Sequence, residues 1–385
     1  MRAEEIKDAD SLQAWLESLP QETEAERETA RRWAVTIAHR AAMRVLPLFV
    51  DSVLFGLNED GQDEVLKGFR ALLVSSLSSS LAKEAAISAA KDVPFDGDPV
   101  AGRFAAKAAA QRACKAMYSQ VIWEPSSQSV EYSSDALAEE LLGPTFARDV
   151  QRLVESQELH SFPLWPPTDE LEAFGPEENG DLIVWHESVK EPLLDFHENW
   201  RFWVEWYENA LYGRPQDYDL LTKIALIDPA DWDKGADHVN ALIQRIVEQH
   251  TLAKDARALK EEIAQLKQRL QSVEHRSHNN PPELVDETVA AQKEVTIICA
   301  ALEEAAQELE KPDPDPTVLA RIGASLKTAS VTIAKYCGAL ADLAVKTSVR
   351  TAAATGTAMA LASQSEHLRA FGEALLQFAR SQGAP

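Results

Sequence analysis

Cysteine is nearly missing from this chain: 385 residues hold only Cys114, Cys299 and Cys337, far apart and on apolar faces. An odd, dispersed set offers neither a disulfide framework nor a Cys-x-x-Cys metal knuckle, so the three read as small core residues. Long apolar runs are missing too. No stretch reaches the roughly 20 uncharged apolar residues of a membrane span, and the opening MRAEEIKDAD lacks the basic start of a secretory signal. A cytoplasmic location is the expectation. Basic charge is in deficit, with 38 Lys and Arg against 62 Asp and Glu, a net charge of -24. Nucleic acid is not an expected partner, because neutralising phosphates needs a surplus of Lys and Arg. The deficit is uneven: residues 155–240 carry 20 acidic and 5 basic groups, whereas 316–385 carry 3 acidic and 7 basic.

Recognisable chemistry is equally thin. No phosphate-binding glycine loop, nucleophile elbow or His-Glu-x-x-His zinc motif occurs, and no cofactor or metal is expected. The best acidic constellation is Glu187, Glu191, Asp195, His197 and Glu198, of which Glu191, Asp195 and Glu198 fall at i, i+4, i+7 of one helical face. Such a set holds a divalent ion only if a second helix adds ligands, and a charged outer face is the simpler reading. A metal-dependent helical enzyme therefore ranks third among the functional readings. His39 reads as a satisfied histidine rather than a base.

What the chain does have is helical periodicity almost throughout, with glycine and proline kept to the breaks, which predicts an all-α, multi-domain protein. Helices are expected near 12–19, over 24–55 with a kink at Pro47, and near 63–90, 99–122 and 134–159, forming an N-terminal domain over 1–160. A proline-rich connector pinned by Trp165 follows, then a possible strand at DLIVWHE. The domain over 161–236 centres on a helix from Pro192 to Tyr212, with Trp200, Trp203, Val204, Tyr207 and Leu211 on one face and Phe202 and Trp206 on another. Gly213 and Pro215 close it as a C-cap glycine followed by proline, and Asp237 is the expected N-cap of the next helix.

The most regular feature lies in that next helix, over 237–275. Leu252, Ala256, Leu259, Ile263, Leu266, Leu270 and Val273 alternate in steps of four and three, an a/d seam. Asp255, Glu262 and Arg269 occupy g positions, and Lys260, Lys267 and Glu274 the e positions five residues on. Every such pair has opposite charge, which suits two parallel identical helices, so a homo-oligomer joined by a parallel coiled coil is expected.

Past the break at 276–283, the stripe Leu284, Ala291, Val295, Ile298, Leu302, Ala305 and Leu309 leads to KPDPDPT, where Asp315 can cap and Pro316 open another helix. That helix repeats the stripe, flanked by the small uncharged Ser325, Ser330, Thr332, Cys337, Ala339 and Ala344. Its buried face is wider than a two-stranded seam needs, which places it in a bundle over 284–385. The tail joins a small-residue run at 350–365 to an amphipathic stripe of Leu368, Phe371, Leu375 and Phe378, a combination that also suits a membrane surface.

HNNPPE at 278–283 resembles a Gly-His-Asn-Asn-Pro-Pro-Glu element found between helical segments of uncharacterised bacterial proteins, with Ser277 in the place of that glycine. The same group is similar at DADSLQAWLESLP, AHRAAMRVLPL, PLWPP, FWVEWYENALYGRP and ALIDPADWDKG. The resemblance implies a helical protein of the same modular order and carries over no catalytic residue. The leading functional reading is a non-enzymatic homo-oligomeric scaffold that binds another protein through Trp200, Trp203, Trp206 and Tyr207, aromatic anchors of a recognition surface. The alternative is a membrane-acting bacterial effector, of toxin or defence type, using the C-terminal helices.

Overall fold

The computed structural model describes residues 3–6, 9–54, 59–79, 145–155, 158–165, 189–196, 198–274, 282–347 and 352–384. The fold is all-α, with no strand among the described residues. The expected helix at 99–122, the parts of the 63–90 and 134–159 helices that fall within 80–144, the possible strand at 181–187, and Cys114 lie outside them. Two compact units divide the chain, Met1–Gln244 and Arg245–Pro385, and the division falls inside one continuous helix.

The first unit contains α1 (Ala9–Glu17), α2 (Glu24–Leu54), α3 (Glu59–Ser79), α4 (145–154), α5 (Glu191–Phe196), α6 (Arg201–Leu211), α7 (Tyr218–Ala225), α8 (Pro229–Trp232) and the start of α9 (Ala236–Glu274). Thr23 and Glu26 open α2 reciprocally: each backbone N–H is accepted by the other's side chain, at 2.8 and 3.2 Å, a capping box. Pro47 lies inside α2. One core gathers Ile6, Trp15, Ile37, Phe146, Val150 and Leu159, with Trp15 stacked on Trp33 at 5.8 Å. Beside it, Phe69 of α3 contacts the rings of Trp200, Trp203 and Trp206 at 6.2, 5.0 and 6.2 Å. Aromatic groups of this size bury the most apolar area per residue, which explains how short helices remain anchored here.

Two local expectations need correction. The helix expected from Pro192 to Tyr212 is broken into α5, a 3₁₀ turn at Glu198–Trp200, and α6. The N-terminus of α9 is capped not by Asp237, which sits in its first turn, but by Asp63, which reaches from α3 to accept the Ala236 N–H at 2.7 Å. Gly235 precedes it at φ 92°, close to the same carboxylate. The Gly213 turn forms as read, at φ 64°.

The second unit joins the rest of α9 to α10 (Pro282–Leu309), α11 (Pro316–Thr347) and α12 (Ala352–Ser381). Residues of all four helices share one apolar core, among them Ala256, Leu302, Leu326 and Phe371. The turn between α10 and α11 is fixed from both sides. Asp315 caps α11 by accepting the Thr317 N–H at 2.8 Å, with Pro316 as first residue, and Gln249 donates to the carbonyls of Leu309 and Lys311 at 2.7 and 2.8 Å. No described helix is long and apolar enough to cross a membrane.

Candidate functional site

The most unusual polar arrangement is a buried ionic cluster in the first unit that the sequence reading missed. Arg40 and Arg44 lie one turn apart on α2, on the face that carries Ile37 and Ala41, and are only 4% and 2% exposed. Both reach Asp149 on α4, which is fully buried: Arg40 Nε donates to Oδ2 at 3.1 Å and Arg44 Nη2 to the same oxygen at 2.8 Å. Further donors of both arginines grip the backbone of 159–164, while Arg44 Nη1 and Asp149 Oδ1 are enclosed without a hydrogen-bond partner. Arg40 donates to the carbonyls of Leu159 (2.9 Å), Phe162 (3.0 Å) and Pro163 (2.7 Å), and Arg44 to that of Leu164 (2.9 Å). Trp165 lies 5.9 Å from the Arg44 guanidinium, which is itself held against a ring.

The same strap is held from its other side by the α6 terminus. Leu164 donates to the Leu211 carbonyl at 3.1 Å, and a Cβ added at Gly213 would lie 2.6 Å from both Phe162 C and Pro163 N. Only glycine allows that approach at a positive φ. Residues 40–44 of α2, 162–164 of the strap and 211–213 at the end of α6 thus meet at one place.

Electrostatically the cluster anchors rather than transfers protons. Burial works to raise the Asp149 carboxyl, but the charges and hydrogen bonds of Arg44 and Arg40 outweigh it and hold the group below the ordinary carboxylate range. Burial lowers Arg44 to about 10, still a cation at neutral pH. Neighbouring His39 is pushed down to about 3 by burial, with Arg40 acting in the same direction, and its enclosed Nδ1 has no hydrogen-bond partner. It is a neutral imidazole at physiological pH. The signal available in the sequence was two arginines at i, i+4 on an otherwise apolar face, a spacing that on a buried helix demands a shared acid.

The residues singled out by sequence fall elsewhere. Trp200, Trp203, Trp206 and Tyr207 are 1%, 0%, 3% and 1% exposed, and Trp203 donates to Asn240 at 2.9 Å. They form the core of the first unit, so the expectation that they anchor a partner is corrected. Glu191 and Asp195 are exposed, but α5 ends at Phe196, which breaks the i, i+7 alignment with Glu198; Glu187 and His197 lie outside the described residues. Among the described residues no group of three metal-ligating side chains converges.

The heptad seam is likewise used within the chain. Leu252, Ala256 and Ile263 are buried in the core of the second unit and Leu259 packs against it. The flanking charges have partners there too: Lys260 pairs with Glu303 of α10, Arg257 with Glu310, and Glu262 accepts from Gln364 of α12 at 2.7 Å. Over 252–263, then, the two-chain seam is replaced by packing within one chain. Asp255 lies on the flank of the same stretch and Lys267 one turn beyond it, while the side chains of Leu266, Arg269, Leu270, Val273 and Glu274 lie outside those described. No family model, curated protein or solved structure matches the chain.

Proposed function

We propose that this chain is a non-enzymatic cytoplasmic scaffold or protein-interaction protein that self-associates. The observation that carries the reading is the outward side of the α10–α11 hairpin. Ile297 and Val331 are 40% and 49% exposed there, beside the exposed Ala300, Ala324, Thr328 and Thr332, in a chain of net charge -24. Exposed apolar side chains on the outward side of a hairpin suit a contact surface. The buried ionic cluster supports the same reading, since its charged groups hold the chain's own backbone. Sedimentation velocity on the full chain at micromolar concentration tests it. A multiple of the 42.5 kDa chain mass is expected, and a single-chain mass throughout overturns the reading.

A second reading, a membrane-acting effector, is favoured by the placement of Leu368, Phe371, Leu375 and Phe378, all sequestered in the bundle core. Its test is dye release from anionic liposomes by the full chain, with the helix stripe of α12 inserting after release from the bundle.

A further inference from the structure

We infer that the buried ionic cluster of the first unit binds one internal water molecule, held between Arg44 Nη1 and Asp149 Oδ1. This site is independent of how copies of the chain associate. The 2.8 Å bond from Arg44 Nη2 to Asp149 Oδ2 brings the two groups together and leaves each with one atom over. Nη1 is a donor and Oδ1 an acceptor, both enclosed and neither with a hydrogen-bond partner in the chain. Each shares its parent carbon with an atom of the bonded pair, so both lie beside that bond. A water with hydrogen bonds of about 2.8 Å on either side spans up to about 5.6 Å.

The neighbouring groups are committed elsewhere. Arg40 gives Nε to Asp149 Oδ2 and its two terminal nitrogens to the carbonyls of Leu159, Phe162 and Pro163. Arg44 Nε donates to the Leu164 carbonyl and the Trp165 ring lies against the same guanidinium, so the strap sets its plane. The carboxylate is set by two guanidinium bonds converging on Oδ2. A two-armed pairing that closes Nη1 onto Oδ1 is therefore opposed from both sides. The chemistry of the two atoms then selects the guest, which must accept from Nη1 and donate to Oδ1. An anion cannot donate and would face a carboxylate, while a metal ion cannot accept and would face a guanidinium. A neutral hydroxyl does both. Arg44 is 2% exposed and Asp149 0%, which seals the site against a larger ligand, and water is the hydroxyl that fits.

The test uses the full-length protein and a triple variant, Arg40→Met with Arg44→Met and Asp149→Leu, whose apolar side chains keep the site dry. Water oxygen-17 relaxation dispersion counts waters held longer than the protein takes to tumble, and wild type is expected to hold one more per chain than the variant. A second measurement needs wild type alone, carrying ¹⁵N-labelled arginine. The protected guanidinium protons of Arg44 are expected to show cross-relaxation with water that has opposite sign in the laboratory and rotating frames, the signature of a bound rather than an exchanging molecule. Absence of that signal overturns the inference whatever the triple variant does, and means that Nη1 closes directly onto Oδ1.

Discussion

Gly323 of α11 and Gly372 of α12 meet backbone to backbone: a Cβ added at either would lie 2.8 or 2.9 Å from the carbonyl oxygen of the other. A helix interior ordinarily favours alanine over glycine by about 1 kcal/mol, so Gly372→Ala at an open position would stabilise the protein. Here the obstacle is backbone, and overpacking of that kind costs about 1 to 3 kcal/mol. A net loss of about 1 kcal/mol is expected from urea unfolding of the second unit. A gain of that size would mean that the two helices do not cross at this pair.

Asp149→Ala leaves two buried guanidinium groups facing each other without their shared acid. Breaking a buried ion pair from one side costs about 3 to 5 kcal/mol, and unfolding of the first unit is expected to show a loss of that order. Arg40→Met together with Arg44→Met and Asp149→Leu removes all three charges and is expected to recover part of the loss. Equal loss in the triple variant would show that the arginines' grip on the 159–164 carbonyls, rather than charge pairing, dominates.

Acid sensitivity follows from two groups acting in the same sense. His39 in the folded chain protonates only near pH 3, whereas the unfolded chain takes up that proton below the ordinary imidazole value of 6.5. Stability is therefore expected to fall as pH drops from about 6.5 towards 3, with a limiting slope of about 1.4 kcal/mol per pH unit for that one proton. Asp149, held below its ordinary value, contributes stability that is present above the unfolded carboxylate range and lost as pH falls through its folded value. Urea midpoints at pH 7, 5.5 and 4.5 measure the trend, and His39→Gln is expected to flatten it above pH 5.

Asp63 and Asp237 make opposite predictions about one helix end. Because Asp63 supplies the acceptor for Ala236, Asp63→Ala is expected to cost about 1 kcal/mol and to speed amide exchange over the first turn of α9. Asp237→Ala removes only a favourable charge near the helix N-terminus, worth a few tenths of a kcal/mol. The reverse ranking would return the cap to Asp237.

These cases mark how far the sequence could be read. Helix class, the Gly213 terminus and the Asp315–Pro316 start were legible because each is encoded within a few neighbouring residues. Asp63 capping Ala236, and Asp149 joining Arg40 and Arg44, were not, because the partners lie more than 100 residues apart and local spacing says nothing about which acid arrives. The Trp-rich segment was read correctly as two-faced, but composition alone does not separate a core from a docking surface. The heptad at 252–263 shows the same limit: spacing marks the face that must be covered without saying what covers it. Opposite charges at g and e positions serve a bundle in one chain as well as a coil between two, as Lys260 and Glu303 illustrate.

Carbodiimide coupling of a mixture of unlabelled and ¹⁵N-labelled full-length protein decides between those two uses of the seam. Zero-length coupling joins amines to carboxylates already in contact, and mass spectrometry separates same-chain from mixed-chain products. Lys260 is expected to be joined to Glu303 in peptides that are wholly unlabelled or wholly labelled. Mixed-label peptides joining Asp255 to Lys260 or Glu262 to Lys267 would show the helices of two chains lying side by side, and would contradict a core built within one chain.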